Sequence, residues 1–425
     1  MNPHKINRDN FLNCMSYGVA IITSSTYKTR SNDTDYPYRA DSNFWYLSGF
    51  EEDNSTLVFI KTKKKSRVIL FVQKRDKTQE LWNGERLGVK RAKKKFDVDK
   101  TYSIDKLQNK LAEYLKDSHR LYLDLYSQNS RLLEIKKVAK KSKVNRLTNI
   151  IPIVQKLRLI KSEHEITLIK RAIEITKKAH HSAMKKASSK LHEYQLQADI
   201  EHTFKSNGAY SDAYTSIVAG GNSANTLHYI TNANKLCDGE LVLIDAGCEY
   251  KMYASDITRT FPVNGKFSSA QSELYELVLH TQEEVIKAIK PNVTKVILQD
   301  LSVKLLTKGM IALGILKGDL EELIKKDKYK KYYPHGIGHW MGIDVHDPCP
   351  YKDKKNRDIV FKEGMVLTIE PALYVEKNDK KVPLKYRGIG IRIEDNILVT
   401  KKGYENLSES IVKSVEDVEQ MCRAI

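Results

Sequence analysis

The first third of the chain alternates short apolar runs with polar stretches of helical period. The apolar runs of strand length lie at 19–25, 55–61, 66–72 and 120–126, and the helical stretches include 104–116 and 130–141. Strands that alternate with helices are typical of a sheet covered on its faces. The pattern therefore predicts an α/β domain over residues 1–156.

A helix start marks the beginning of a second domain. Ser162 and Glu165 have the spacing of a capping box, in which each side chain bonds the other residue's backbone N–H. Isoleucines recur behind Glu165 at helical spacing, as expected for the buried face of a helix. We therefore place the second domain at residues 157–425.

The second domain mixes helices and strands in runs instead of in strict alternation. Helices are predicted before Gly208, from about 268 to 291 and from about 298 to 313, and strands at 215–221, 241–247, 253–263, 365–374 and 389–400. Strands therefore dominate the segment after Gly208, and the final quarter of the chain returns to them.

Composition allows a large core and gives no sign of membrane insertion. Hydrophobic residues make up 41% of the 425 residues, and no apolar run approaches the ~18 residues of a membrane span. The first residues lack the apolar core of a secretory signal. The five cysteines are scattered without a C-x-x-C pair, which indicates reduced thiols and a cytoplasmic location.

The formal net charge of +19 raises the possibility of nucleic-acid binding. Most of the charge is lysine, concentrated at 90–95, 136–143 and 325–331. Tyr329 is the single aromatic residue among these lysines, and no nucleic-acid-binding module is recognisable. A lysine-rich, solvated surface is the simpler interpretation, so we expect no specific nucleic-acid partner.

Two aspartates lie within apolar, strand-like segments. Asp245 follows the run LVLI, and Asp256 lies in YASDITRT. A turn near 249–252 would form a hairpin that brings the two carboxylates side by side. Thr258 and Thr260 are predicted on the same strand face as Asp256, where their hydroxyls can bond its carboxylate.

Two glutamates and a histidine follow in the same half of the chain. Glu370 interrupts the apolar run VLTIEPALY, and Glu394 alternates with isoleucines in IRIED, which places it on one strand face with Arg392. His339 lies among glycines in HGIGHWMGIDVHD. Like charges a few ångströms apart repel strongly, so four carboxylates can share one site only with cations. Two divalent cations would meet that need, and a paired-metal site activates water for attack on a carbonyl.

These motifs, with DYPYRADSNFWYLSGF at 35–50 and LWNGERLG at 81–88, extend over almost the whole chain. In them the chain resembles the Xaa-Pro aminopeptidase (aminopeptidase P) family, part of the wider group that contains creatinase, prolidase and methionine aminopeptidase. The resemblance implies an α/β N-terminal domain followed by an α+β catalytic domain of the "pita-bread" fold.

The resemblance also implies how the metal ligands divide. Asp245 would bind one metal, Asp256 and Glu394 would bridge both, and His339 with Glu370 would complete the second. A hydroxide held between the metals would be the nucleophile. Oxygen-rich ligation with one imidazole suits Mn²⁺, which is also the metal that the resemblance implies; Co²⁺, Fe²⁺ and Zn²⁺ stay open.

Further site residues follow from the resemblance alone. His228 and His346 would contact substrate and stabilise the tetrahedral intermediate, and Glu370 would also pass a proton to the leaving nitrogen. The residues that would line the substrate site are His335, Tyr374, Arg392 and Trp82. Trp82 would reach the active site of a neighbouring subunit, in a homodimer or homotetramer.

The implied reaction is hydrolysis of the first peptide bond in peptides with proline second, which releases the first residue. Four alternatives are open. Prolidase shares all five ligands, methionine aminopeptidase usually lacks a large N-terminal domain, and creatinase lacks the metal site. Some relatives have lost their ligands and act as binding proteins, whereas this chain keeps the whole set. A lysine-rich segment at 351–357 is unusual near such a site and suggests an altered preference for peptide length.

Overall fold

The computed structural model describes residues 2–127 and 129–423. The chain divides into two compact units between Arg158 and Leu159, close to the boundary that the sequence predicts. Among the described residues, no helix combines the length and the apolar character needed to cross a membrane.

Strands and helices alternate through the first unit. Its strands are β1 (Gly18–Thr23), β2 (Thr29–Ser31), β3 (Thr34–Asp35), β4 (Thr56–Lys61), β5 (Ser66–Val72), β6 (Lys100–Ser103), β7 (Arg120–Leu123) and β8 (Arg146–Asn149). Its helices are α1 (Pro3–Cys14), α2 (Ser42–Ser48), α3 (Lys77–Asn83), α4 (Gly88–Phe96), α5 (Leu107–Leu115), α6 (Ser130–Lys141) and α7 (Ile151–Arg158). The predicted strand at 66–72 and helix at 130–141 are confirmed with the same bounds.

The first unit is built on a mixed sheet with the strand order β6-β5-β4-β1-β7-β8. The pairs β1–β4 and β4–β5 are antiparallel, whereas β1–β7, β5–β6 and β7–β8 are parallel. Ile21, Ile69 and Phe71 of the sheet share one buried cluster with Leu111 of α5 and Ile135 of α6. The amphipathic helices thus cover the sheet, as the alternating pattern predicts.

The second unit begins with helices and returns to short strands. Its helices are α8 (Glu163–Lys186), α9 (Glu193–Ser206), α10 (Ser269–Lys287), α11 (Lys295–Ala312), α12 (Leu320–Lys325) and α13 (Val415–Arg423). Its strands are β9 (Ser211–Asp212), β10 (Ile217–Gly220), β11 (Leu241–Asp245), β12 (Cys248–Tyr250), β13 (Tyr253–Ala254), β14 (Thr258–Pro262), β15 (Val366–Ile369), β16 (Ala372–Val375), β17 (Ile389–Arg392), β18 (Asp395–Val399) and β19 (Tyr404–Asn406).

The strands of the second unit form small antiparallel sheets. Their orders are β10-β11-β14, β13-β12-β9 and β15-β18-β19, with the separate pair β16–β17. The capping box predicted at the start of α8 is confirmed: Ser162 Oγ accepts from Glu165 N, and Glu165 Oε2 accepts from Ser162 N at 2.8 Å. That reciprocal pair fixes where α8 begins, directly after the division between the units.

A largely buried ion cluster joins β14 to β18. Asp395 Oδ1 accepts from Arg259 Nη2 at 2.7 Å, and Asp395 Oδ2 accepts from Lys413 Nζ at 2.7 Å. Burial alone would raise the pKa of Asp395, but the charges of Arg259 and Lys413 outweigh it and hold this pKa well below its usual range. The cluster ties together the strands on either side of the carboxylates described next.

Candidate metal centre

The first two carboxylates are brought together by a hairpin. Asp245 ends β11, which pairs antiparallel with β14 so that Asp245 lies opposite Thr258. Between these strands, β12 and β13 form a tight turn at Lys251 and Met252, whose φ angles of 47° and 71° are left-handed, as a two-residue hairpin turn requires. The predicted hairpin is confirmed, and it returns Asp256 to the end of β11.

Asp256 itself lies outside the strands, which corrects the expectation that it shares a strand face with Thr258 and Thr260. The run at 253–263 is broken between β13 and β14. There the side chain of Asn396 takes the place of a strand partner, because its Oδ1 accepts from Asp256 N at 3.1 Å. The break frees the Asp256 carboxylate to turn towards Asp245.

The two glutamates lie at matching interruptions of neighbouring strands. Glu370 separates β15 from β16, and Glu394 separates β17 from β18. The pairs β15–β18 and β16–β17 hold these interruptions side by side. The backbone N–H of Glu394 donates to Thr258 O at 3.1 Å, so this residue is also fixed to the strand that pairs with β11.

His339 presents one ring nitrogen to the carboxylates. Its Nδ1 lies 3.1 Å from Trp340 O, a distance at which Nδ1–H donates to this carbonyl. The other nitrogen, Nε2, lies 3.2 Å from Asp256 Oδ2 and 3.7 Å from Glu370 Oε1. A ring held through one nitrogen with the other free to coordinate is the usual arrangement of a metal-binding histidine.

Three overlapping groups of side chains have ligand atoms within 4.8 Å of one another. One contains Asp245, Asp256 and Glu394, and another contains His339, Glu370 and Glu394. The two groups share Glu394, so a pair of neighbouring cations with a common carboxylate ligand fits the arrangement. The third group is Asp256, His339 and His346.

The pKa shifts of these side chains also indicate a site that can hold two cations. Burial raises the pKa of Asp245 against the opposing charge of Arg392, and burial with the neighbouring carboxylates raises the pKa of Glu394 well above its usual value. Burial also raises the pKa of Glu370 to about 7. For His339, burial alone would lower the pKa, but the bond to Asp256 and its charge raise it to about 9. The side chains alone therefore form a site that attracts positive charge.

A second layer of polar contacts holds two of the carboxylates. Arg392 donates from Nη2 to Asp245 Oδ2 at 2.6 Å and from Nε to Thr258 Oγ1 at 3.1 Å. The Thr258 hydroxyl in turn donates to Glu394 Oε2 at 2.7 Å. Tyr214, which sequence reasoning missed, donates to Asp245 Oδ1 at 2.6 Å. The only signal for Tyr214 is its place just before the apolar strand β10.

The remaining predicted residues surround these ligands. Tyr374 accepts from Arg392 Nη1 at 2.8 Å and lies 3.0 Å from His335 Nε2, to which its hydroxyl can donate. Burial lowers the pKa of His335 to about 4. Partial burial, followed by the charge of His339, lowers the pKa of His346. Both imidazoles are therefore neutral near pH 7.

A cavity of about 420 Å³ unites the predicted site. All the predicted site residues except Trp82 line it, together with Tyr214 and apolar side chains such as Leu227 and Ile230. Trp82 lies in α3 of the first unit with 79% of its surface exposed. The volume lies within the ~300–1,000 Å³ typical of small-molecule sites.

Comparison with known proteins covers both units. Residues 167–401 match metallopeptidase family M24, and residues 4–122 match the aminopeptidase P N-terminal domain. Xaa-Pro aminopeptidase of Haemophilus influenzae is 43% identical over 94% of this chain and 92% of that protein, and that of Escherichia coli is 41% identical over 95% and 93%.

A solved structure gives the same result in three dimensions. Zinc-substituted E. coli aminopeptidase P in complex with product has a TM-score of 0.95 and 39% identity, covering 99% of this chain and 98% of that one. The predicted fold, an α/β N-terminal domain followed by a pita-bread domain, is confirmed by this similarity.

Proposed function

The chain belongs to metallopeptidase family M24, and from this premise we propose how its side chains hydrolyse the first peptide bond of peptides with proline second. The predicted enzyme class, an Xaa-Pro aminopeptidase that releases the first residue, is confirmed by the family and by the identity along nearly the full chain. The observation that carries the mechanism is the convergence of four carboxylates and one imidazole at a single cavity.

We assign two divalent cations to the centre. Asp245 would hold one cation, His339 and Glu370 the other, and Asp256 and Glu394 would contact both. Two such cations polarise the peptide carbonyl and lower the pKa of water, which supplies a nucleophile at neutral pH. Mn²⁺ is our proposal for the metal, because ligation by oxygen atoms with one imidazole suits it.

Two histidines would supply hydrogen bonds during the reaction. His228 and His346 face the cavity, and an imidazole N–H directed at the carbonyl oxygen stabilises the negative charge that develops there. Glu370 would transfer a proton to the proline nitrogen, which must be protonated to leave as an amine.

Substrate binding must accept a proline nitrogen that has no N–H to donate. We propose that Tyr374, His335 and His346 form a surface against which the proline ring packs, with Arg392 fixing Tyr374 through its Nη1 bond. A surface that demands no hydrogen bond from this nitrogen accepts proline without leaving a buried group unpaired.

Assembly and location are also proposals. Leu81 and Trp82 of α3 are 82% and 79% exposed, and adjacent exposed apolar side chains mark surfaces that a partner covers. We propose a homodimer or homotetramer in which Trp82 completes the site of a neighbouring subunit. Cys14, Cys237, Cys248 and Cys422 are free thiols, in keeping with a cytoplasmic location.

The decisive experiment compares Lys-Pro-Pro tripeptide with X-Pro dipeptides, with and without Mn²⁺, and measures the bound metal. Metal-dependent release of the first residue from the tripeptide is the expected result. Cleavage of the dipeptide alone would make the enzyme a prolidase, which shares the five ligands. Loss of both metal and activity in Glu394→Gln, with the fold retained, checks that the shared carboxylate holds the centre.

A further inference from the structure

A second cavity adjoins the one that contains the candidate metal centre. Its volume is about 460 Å³, and Lys295, His335 and Gly336 line both cavities. Gly336 is exposed at this junction. A peptide held with its first bond at the metal centre has its remaining residues on one side of that centre, and this cavity offers them a continuation.

Lys295 presents an ammonium group that lacks an anion. The residue opens α11 and is half-buried. Its Nζ lies 4.4 Å from the centre of the Tyr351 ring, over the face of that ring, whereas no hydrogen bond or ion pair joins it to the described residues. Burial lowers the pKa of Lys295, with the charge of Glu370 opposing this. A partly desolvated cation without an anion gains more from binding one than a surface lysine does.

The other charges in this cavity leave it positive. Lys330 also lines it, but its Nζ is already paired with Asp327 at 2.8 Å. Lys352 and Asp358 face the cavity and oppose each other across a β-bridge. Lys330 and Lys352 are exposed, so Lys295 is the half-buried lysine of the described wall, and no ion pair compensates its charge.

Much of the rest of the wall is apolar and aromatic. Trp340 and Tyr351 stack with ring centres 5.6 Å apart, and Tyr333 and Ile359 also line the cavity. Apolar walls with one or a few placed charges are typical of sites that bind small organic ligands. The ligand that fits best is thus a short, largely apolar chain with one negative group.

We propose that this cavity binds the part of the peptide that follows the proline, and that Lys295 binds a carboxylate of that part. This inference rests on the proposed function, since it assigns the direction in which the substrate extends. The carboxylate has two possible sources, the C-terminus of a short peptide or an acidic side chain after the proline. Both offer the same anion to the same ammonium.

The expected effect is on binding more than on the chemical step. Lys295 lies beyond the reacting bond, so its contact with the substrate is the same in the ground state and in the transition state. A contact of that kind lowers KM without raising kcat. Lys295 therefore acts as a specificity residue.

The test uses the full-length enzyme loaded with Mn²⁺ and matched peptides. Ala-Pro-Ala and Ala-Pro-Ala-Ala are each compared with the C-terminal amide, and Ala-Pro-Glu-Ala-amide is compared with its Gln counterpart. Lys295→Met removes the charge and keeps the length of the side chain. Lys330→Met is the matched control, because it removes a lysine from the same wall that already has a partner.

For wild type and Lys330→Met we expect KM to be about tenfold lower for the carboxylate peptide than for its neutral match, from one charge-assisted contact. Lys295→Met should lose this difference and keep its kcat on the amides. Lys295→Glu should reverse the preference. If Lys295→Met loses the KM difference only between the C-terminal acids and their amides, the carboxylate that Lys295 binds is the C-terminus of the peptide. If the difference is lost only between the Glu and Gln peptides, that carboxylate is the acidic side chain.

Equal KM values for charged and neutral peptides in wild type, or an unchanged preference in Lys295→Met, would overturn the inference while the proposed function stands. Failure of wild type to release alanine from every peptide, the amides included, would refute the proposed function and this inference with it. The amides thus separate the two failures.

Discussion

The hydroxyl of Thr258 links the two sides of the candidate metal centre, and replacing it with valine tests whether that link tunes metal affinity. Thr258 Oγ1 donates to Glu394 Oε2 at 2.7 Å and accepts from Arg392 Nε at 3.1 Å. Thr258→Val keeps the shape of a fully buried side chain but removes both bonds. The Glu394 carboxylate then loses its orienting donor, and the Arg392 guanidinium loses an acceptor.

The magnitude follows from the two hydrogen bonds that this hydroxyl makes. Residues that orient metal ligands change affinity by about 10–100-fold when they are replaced, which corresponds to roughly 1.4–2.8 kcal/mol. The buried donor left without an acceptor costs a further ~1–3 kcal/mol of folding stability. We therefore expect a lower melting temperature and a weaker metal complex together.

Thr260→Val provides the control on the same strand. Thr260 is equally buried, and its hydroxyl donates to Arg392 O at 3.0 Å and accepts from Arg392 N at 3.3 Å. Both contacts are with backbone, so this variant should lose stability with little change in metal affinity.

Chelator-competition titration with Mn²⁺ and thermal unfolding with and without metal measure the two effects separately. The reasoning fails if Thr258→Val binds Mn²⁺ within twofold of wild type, or if Thr260→Val weakens metal binding as much. Activity at saturating Mn²⁺ should recover in Thr258→Val, because the ligands themselves remain.

Three further predictions concern stability and the metal. Removing bound metal with a chelator should lower the melting temperature, because bound ligand contributes RT ln(1 + [L]/Kd) to the free energy of unfolding; an unchanged melting temperature would argue against a buried metal centre. Asp395→Asn should cost about 3–5 kcal/mol at pH 7, since Arg259 and Lys413 lose their buried partner. The pKa of Asp395 is lowered on folding. Its ionised form therefore stabilises the fold above the unfolded pKa of about 3.9, and this stabilisation is lost as pH falls further. Urea unfolding should show the free energies of unfolding of wild type and variant converging in acid. Gly338→Ala should disrupt the loop that holds the metal-binding histidine, because a Cβ there would lie 1.9 Å from Thr368 O; wild-type stability in this variant would contradict that close packing.

Much of this architecture could be predicted from local pattern. Strand β5 and helix α6 have the predicted bounds because each predicted segment forms one element over its whole length. The pattern predicts the wrong bounds where a helix cap or a side-chain hydrogen bond decides where an element begins or ends. Helix α11 begins at Lys295, before the predicted start near 298, because Thr294 Oγ1 accepts from Ile297 N and moves the start forward. The predicted strand at 120–126 ends at Leu123, since Asp124 Oδ1 accepts from the backbone N–H of Tyr126 in a turn.

The residues of the candidate site could be predicted from the sequence better than the backbone geometry that holds them. The acidic residues stand out in sequence because they interrupt apolar runs, but the runs at 253–263, 365–374 and 389–400 look continuous and are each broken at or beside a carboxylate. Those breaks depend on residues distant in sequence. Asn396, for example, accepts a hydrogen bond from the backbone N–H of Asp256 through its side chain, in place of a neighbouring strand. Tyr214 was missed because a lone tyrosine before a strand gives no sign of the distant aspartate that it contacts.

The adjacent residues Glu394 and Asp395 belong to two different clusters, which limits the mutations that this segment can accept during evolution. One carboxylate faces the candidate metal centre, while the next lies in the buried ion cluster with Arg259 and Lys413. A one-residue insertion or deletion at this point would shift the register of the chain and move these carboxylates away from their partners. A point substitution of Glu394 would spare the cluster. Descendants that lose catalysis but keep the fold should therefore arise by replacement of single ligands, with the length of this segment preserved.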